Sequence, residues 1–255
     1  MSVLNRVSAD RVTAALRRGS SLPVVVETAQ GRFATKLRGA AQGLTALVAE
    51  VIAAELAELA GLPVPQRAII ELDESVPSDD QNDELLDLLA RSRGENLGFR
   101  WLPGARDFTP LQLADVSEAF AGTLLWVDGL TMNHDRTRQN PNLLWWNGQP
   151  WLIDHGATLS FQYDWASVSE DSPREATDFS NHVFADRLAA LRQVDAALTR
   201  AFDRTALQRA VAAVPRAWLA TAFPGEDPER VRSSYYAFLW KRLKPPRPFV
   251  VGDAQ

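Results

Sequence analysis

The chain has 255 residues, 46% of them hydrophobic and 23% charged, with a formal net charge of −5. That length and apolar content suffice for one two-lobed domain or two small ones, and the acidic balance offers no global basic field to draw the protein onto nucleic acid. Zero cysteine excludes disulfides and thiolate metal sites and fits a reducing cytoplasm, the run MSVLNRVSADRV lacks the apolar stretch of a signal peptide, and no segment reads as spanning a membrane.

Residues 8 to 18 read as a short helix stopped by Gly19. Val24 to Glu27 follows as a strand, Gln30-Gly31 as a turn and Arg32 to Leu37 as a second strand, with Phe33 and Thr35 alternating against Ala34 and Lys36. Such a hairpin suits a position over nucleotide phosphates, although it holds too little glycine for a Gly-rich-loop motif. Arg38 to Leu44 is a flexible Gly/Ala/Gln loop, and Thr45 opens a helix to Ala60 that Gly61 and the following Leu-Pro-Val-Pro stop. Leu47, Val48, Val51, Ile52, Leu56 and Leu59 form its apolar stripe. Glu50 falls away from that stripe and Glu55 within it, so periodicity makes Glu55 the carboxylate to be buried and paired. Either has the type to bind Lys36. Of 27 basic residues only Lys36, Lys241 and Lys244 are lysine, which leaves 27 − 3 = 24 arginines. A strong arginine bias thus spared Lys36, where a compact ammonium would sit between phosphate oxygens.

Gln66 to Leu72 reads as a third strand, Asp73 to Asp80 as an acidic loop, Asp83 to Ser92 as a helix and Asn96 to Leu102 as a further strand. Trp101 and Leu102, at the end of that strand, are assigned to nucleotide binding. Pro103-Gly104 is the expected hinge between an N-lobe, residues 1–104, and a helical C-lobe, residues 105–255. Phe108, Thr109, Pro110 and Gln112 have the order of a staple residue, an N-cap, an N1 proline and a capping-box partner, which starts a long helix at Pro110 that ends near Gly129.

That helix delivers the chain into the most informative stretch, Asn133 to Gly156, reading NHDRTRQNPNLLWWNGQPWLIDHG. Leu143 to Trp146 and Trp151 to Ile153 are apolar runs around Asn147-Gly148, the strongest short-range signal for a type I′ hairpin turn. Trp146 then pairs with Gln149 and Asn142 with Ile153, and Asn140 and Asp154 meet near the open end, one register step apart. Directly opposed Cβ atoms stand about 4.5–5.5 Å apart, close enough for an amide oxygen and a carboxylate to share a magnesium ion. Asp135, in a D-x4-N loop with Asn140, is placed to accept or orient the proton of an attacking hydroxyl. His134, His155 and His182 lack a helical ligand spacing, and loop hydrogen bonding is the role expected of His134 and His155. Residues 157 to 182 are Ser/Asp-rich and suit a mobile activation-segment-like loop. Asp186 to Phe202, Thr205 to Val214 and Glu229 to Leu243 read as helices, and KPPRPFVVGDAQ as a loose tail.

With Lys36, the helix ending in Ala-Gly-Leu-Pro-Val-Pro, the DRTRQNPNLL loop and LIDHG in this order, the chain resembles the HipA-like kinases, bacterial relatives of the protein kinase and phosphatidylinositol 3-kinase folds. The resemblance runs from about Val24 to Leu159 and is most specific over Glu50 to Pro65 and Asn133 to Gly156. It implies an α+β, two-lobed kinase fold with a small mixed-sheet N-lobe and a mostly helical C-lobe. It further implies ATP and Mg2+ as cofactors, Lys36 on the ATP phosphates, Glu50 holding Lys36, Asp135 as catalytic base, and Asn140 and Asp154 on the metal. Glu50, rather than Glu55, has the family's distance to the Gly-Leu-Pro-Val-Pro turn. Longer HipA toxins carry an extra N-terminal subdomain and work with a DNA-binding antitoxin, whereas this chain begins almost at the kinase lobe. His155 replaces the Phe of the usual Asp-Phe-Gly.

The leading expectation is an ATP- and magnesium-dependent kinase acting on a Ser or Thr hydroxyl of a protein. A small-molecule kinase of the aminoglycoside or choline kinase type shares D-x4-N and a later metal Asp, but usually shows His-Gly-Asp where this chain has Asn133-His134-Asp135. A nucleotide-binding pseudokinase scaffold is the third reading, against which the intact Lys36, Asp135, Asn140 and Asp154 stand.

Overall fold

A computed structural model describes residues 4–16, 22–40 and 42–250. The chain divides into two compact units: residues up to Leu47 with Pro65–Pro103, and Val48–Val64 with Gly104 onwards.

The first unit is built on a six-stranded mixed sheet. Its strands β1 (Asn5–Ser8), β2 (Arg11–Ala15), β3 (Val24–Thr28), β4 (Gly31–Lys36), β5 (Arg67–Leu72) and β6 (Gly94–Arg100) stand in the order β1-β5-β6-β4-β3-β2. Only β1 and β5 run parallel. The helix expected over residues 8 to 18 is therefore corrected to the end of β1 and the whole of β2, while residues 17–19 lie outside the described part. A helix of that length is marginal in water by itself. Ladder bonds to β5 and β3, with Val7 and Val12 buried in the core, outweigh its local preference. Gly31 closes the β3–β4 hairpin at φ +107°, a left-handed conformation that a side chain would strain.

One face of the sheet packs Val7, Val12, Val24, Val26, Phe33 and Ile70 against Leu85, Leu88 and Leu89 of α2 (Asp83–Arg91), which Asn82 caps. Phe33 and Thr35 of β4 are buried while Ala34 and Lys36 are half-buried, so alternation turns Lys36 away from this core. The start of the loop after β4 is tied down rather than free. Arg38 donates its N–H to Asn96 Oδ1 at 2.8 Å and Gly39 to Ser92 Oγ at 3.1 Å. Asn96 is fully buried and donates in turn to the carbonyls of Ser92 and Gly94.

Helix α1 (Gly43–Leu59) is buried on almost every face between Leu47 and Ala57. A helix apolar all round has no solvent side by which a stripe could rank its carboxylates. The reading from periodicity is accordingly reversed: Glu50 is fully buried and Glu55 only partly.

The second unit holds the sheet β7 (Arg106–Asp107), β8 (Leu143–Trp146) and β9 (Gln149–Leu152), and the helices α3 (Glu118–Thr131), α4 (Leu188–Ala201), α5 (Arg204–Ala212), α6 (Arg216–Ala222) and α7 (Pro228–Leu243). The long helix expected from Pro110 is two pieces. The Thr109/Gln112 capping box opens a 3-10 helix over Pro110–Asp115 that buries no side chain and leaves Leu111 84% exposed. Val116 is extended, and Ser117 caps α3 by accepting the Phe120 N–H. Apart from Val116, burial begins after that second cap, and packing rather than propensity sets where the α-helix starts. The strand β7 and the helix α6, too short for a periodic signal, have no counterpart in the sequence reading.

Two segments expected to be loose are docked. Between residues 157 and 182 the chain forms 3-10 turns that lie on α7, with Phe161 stacked on Phe238 at 3.7 Å and Trp165 edge-on to Tyr235 at 5.4 Å. Arg242, almost fully buried, donates to the carbonyls of Gly129, Pro173 and Glu175 and to the Thr177 hydroxyl. Burial lowers its pKa to about 10, with Glu175 opposing, so it stays charged at neutral pH. In the C-terminal segment Phe249 is fully buried edge-on to Trp126, and Arg247 pairs with Asp195. A packed anchor replaces the tail up to Val250.

Helices α3 and α4 approach so closely at Gly122 that a Cβ there would lie 2.4 Å from the Ala190 carbonyl oxygen. Gly122→Ala gains helix propensity but is expected to destabilise the protein by about 1–3 kcal/mol through overpacking. Urea unfolding measures this, and an unchanged or raised midpoint would contradict the close packing.

Candidate active site

The site grows from the end of α3. Met132 turns left-handed at φ +56°, and both it and Asn133 return their N–H groups to the Asp128 carbonyl, which terminates the helix. The Asp128 side chain, 2% exposed, is the hub of a buried polar network. Its Oδ2 accepts from Arg136 Nε at 2.7 Å and from His182 Nε2 at 3.0 Å, and its Oδ1 from the Asn133 amide at 2.9 Å. His182 Nδ1 accepts the Phe184 N–H, so Nε2 carries the ring proton. Burial pushes the Asp128 carboxyl up, but the Arg136 charge and the hydrogen bonds from His182 and Asn133 overcome it and hold the group below the ordinary carboxylate range.

The partners of Asp128 position the loop that carries Asp135. Asn133 Oδ1 accepts the Asp135 N–H at 3.1 Å. Arg136 donates to the carbonyls of Pro141 and Asn142 and lies 3.4 Å from His155 Nδ1. Thr137 donates its N–H to the carbonyls of Asp135 and Asn140 and accepts the Asn140 N–H on its hydroxyl, closing the turn. On Asp135 itself, Oδ2 accepts from the Asn140 amide at 3.0 Å and the Asn142 amide at 2.8 Å. Those two bonds fix the orientation of the carboxylate.

The next hairpin has the expected register, with Trp146 opposite Gln149 and the Ile153 N–H donated to the Asn142 carbonyl. Asn147 and Gly148 both have positive φ, as a type I′ turn requires. Pro141 and Asp154 stand next beyond the Asn142–Ile153 pair, so Asn140 and Asp154 leave the ladder one step apart. Asp154 is left-handed at φ +57°, a conformation that Asp tolerates better than most residues.

The structure thus brings Asp135 and Asn140 into contact and sets Asp154 at the same end of the hairpin. Glu50 belongs to the same unit; there the Tyr163 phenol is pushed up by its own burial and, to a smaller extent, by the Glu50 charge, against a hydrogen bond with Gln162. Lys36, Trp101 and Leu102 belong to the sheet unit. There Lys36 ends β4, Trp101 is 36% exposed with its N–H donated to the Arg32 carbonyl, and Leu102 is buried. Sequence reasoning missed Asp128, Arg136, Asn142 and His182. The one available signal was an acid inside the otherwise apolar run Leu124 to Leu130, which is costly to bury without a partner.

Among the described residues no group of three or more His, Cys, Asp or Glu is arranged to hold a metal ion. The donor set that is present, one carboxylate from Asp154 and one amide oxygen from Asn140, matches a hard divalent ion that keeps waters and substrate phosphates as its remaining ligands.

A sequence profile of HipA-like kinases matches residues 10–232. The chain belongs to the HipA-like kinases. Among solved structures, the Helicobacter pylori proinflammatory kinase CtkA has the same fold, with a TM-score of 0.63 at 11% identity over 96% of this chain and 95% of that one. No curated protein sequence matches. Family membership makes the chain a kinase, a phosphotransferase of a class that uses ATP and a divalent metal. No helix among the described residues of this HipA-like kinase is long and apolar enough to cross a membrane.

Because the folded carboxyl of Asp128 is depressed, its contribution to stability is full above the unfolded value of about 3.9 and is lost as pH falls through the folded one. Asp128→Asn is expected to cost about 3–5 kcal/mol at pH 7, since it strands the Arg136 charge, and to flatten the acid limb of the stability profile. Unfolding free energies between pH 7 and pH 2 check this. Parallel profiles for the two proteins would contradict the assignment.

Proposed function

We propose that the protein is an ATP- and Mg2+-dependent kinase that transfers the γ-phosphoryl group to a Ser or Thr hydroxyl of a protein. The observation that carries this reading is Asp135, whose Oδ2 is held by two amides while its backbone is held through Asn133 to the buried Asp128. Asp135 takes the proton of the acceptor hydroxyl as the new P–O bond forms and the bond to the β-γ bridging oxygen breaks, releasing ADP. Asn140 and Asp154 hold magnesium, which when bound neutralises charge on the phosphates. Lys36 is assigned to the ATP phosphates, Trp101 and Leu102 to the nucleotide, and Glu50, the buried carboxylate of α1, to the glutamate position of the kinase helix. Catalysis is then mainly orientation and charge stabilisation.

Incubation with γ-labelled ATP, Mg2+ and a bacterial lysate tests this. Label on a discrete protein band, reduced roughly 10²–10⁴-fold by Asp135→Asn and also lost in Asp154→Asn, is the expected result. Label confined to small molecules would make it a small-molecule kinase, and ATP binding without transfer would leave a scaffold.

A further inference from the structure

Beside the base, on the C-terminal side of the docked segment, lies a cavity of about 120 Å³ lined by Asn133, His134, Arg136, Asp178, Ser180, Asn181 and His182. Its far wall is fastened to the catalytic loop. Arg138 donates its N–H to the Asn181 carbonyl at 3.1 Å, Val183 donates to the Arg136 carbonyl at 3.2 Å, and Thr137 bridges His182 between them. The near wall is His134, directly before Asp135, and Asn133, whose side chain accepts the Asp135 N–H. The cavity is thus lined by the residues on either side of Asp135 in the chain, His134 and Arg136.

The charges lining the cavity select its occupant. Arg136 through Nε and His182 through Nε2 both donate to the Asp128 carboxylate, which faces them from outside the cavity. The carboxylate in the cavity lining itself is that of Asp178. The Ser180 N–H holds its Oδ1 at 2.8 Å and the Ser180 hydroxyl its Oδ2 at 3.0 Å. These two bonds, with the nearby His134, hold the carboxyl below its ordinary range, so it is an oriented anion throughout neutral pH.

We propose that this cavity is the substrate-reading subsite of the kinase, taking the guanidinium or ammonium side chain of an Arg or Lys that lies one or two residues from the phosphorylated hydroxyl. The inference rests on the phosphotransfer reading and narrows its substrates to Ser or Thr in a basic context. Asp178 supplies the charge, and the amides of Asn133 and Asn181 supply further acceptors. Net acidity of the chain, at −5, favours the same class of substrate at longer range.

Two measurements test it, one of which needs no transfer. The chain has three histidines, so His134 gives one of three imidazole signals in NMR. Titration with N-acetyl-arginine amide is expected to shift that signal saturably in the wild type and not in Asp178→Asn, with the uncharged citrulline analogue as control. No shift, or an equal shift with citrulline or in Asp178→Asn, overturns the proposal. With ATP and Mg2+, a positional Ser/Thr peptide library should be phosphorylated about fivefold or more faster with Arg than with citrulline beside the acceptor, and Asp178→Asn should remove that preference. Transfer without the preference likewise overturns it. An arginine-dependent His134 shift in a protein that phosphorylates nothing would sink the kinase reading while leaving the cation site in place.

Discussion

The helical unit depends on a carboxylate and a guanidinium taken out of water together. Asp128 and Arg136 are 2% and 1% exposed, and an unpaired ion at such depth costs several kcal/mol. The pair is tolerable because further hydrogen bonds surround it: Asn133 and His182 donate to the carboxylate, and the carbonyls of Pro141 and Asn142 accept from the guanidinium. Those groups belong to the loop that carries Asp135, to the base of the hairpin and to the segment after residue 177. One buried interaction thereby ties together three stretches of irregular chain, and through them it sets the orientation of Asp135.

The same device recurs and gives the arginine bias a structural meaning. Loops lack ladder partners, and a buried carbonyl without a donor is costly. Arg242 donates to Gly129, Pro173 and Glu175, Arg187 to Leu113 and Val116, Arg232 to Val211 and Val214, and Arg174 to Lys244 and Pro246. A guanidinium presents a rigid fork of donors that reaches two carbonyls at once, which an ammonium on a mobile stem does less well. The helical unit is in this sense sutured by arginine, and Lys36, in the sheet unit, stands outside that pattern.

The features legible in the sequence were local ones. Asn147-Gly148 and its flanking aromatic runs contain their own register, and Thr109 with Gln112 contains its own cap, so both emerged intact. The D-x4-N spacing likewise placed Asn140 on Asp135. Features that were not legible depended on partners far along the chain. Residues 8 to 15 become strands only because β3 and β5 are there to pair with them. Glu50 is buried because α1 is enclosed on nearly every face, which no stripe reports. Phe249 looks like part of a proline-rich tail until Trp126 is seen beneath it. His182 joins the site from 54 residues beyond Asp128, a separation at which spacing carries no signal.

The most direct measurement is a double-mutant cycle on the buried pair, comparing Asp128→Asn, Arg136→Met and the double variant by urea unfolding. If the pair organises the loop that carries Asp135 as a unit, the double variant loses less than the two single losses together, with a coupling of about 2 kcal/mol or more. Losses that add to within about 0.5 kcal/mol would contradict it, since the two residues would then be acting independently.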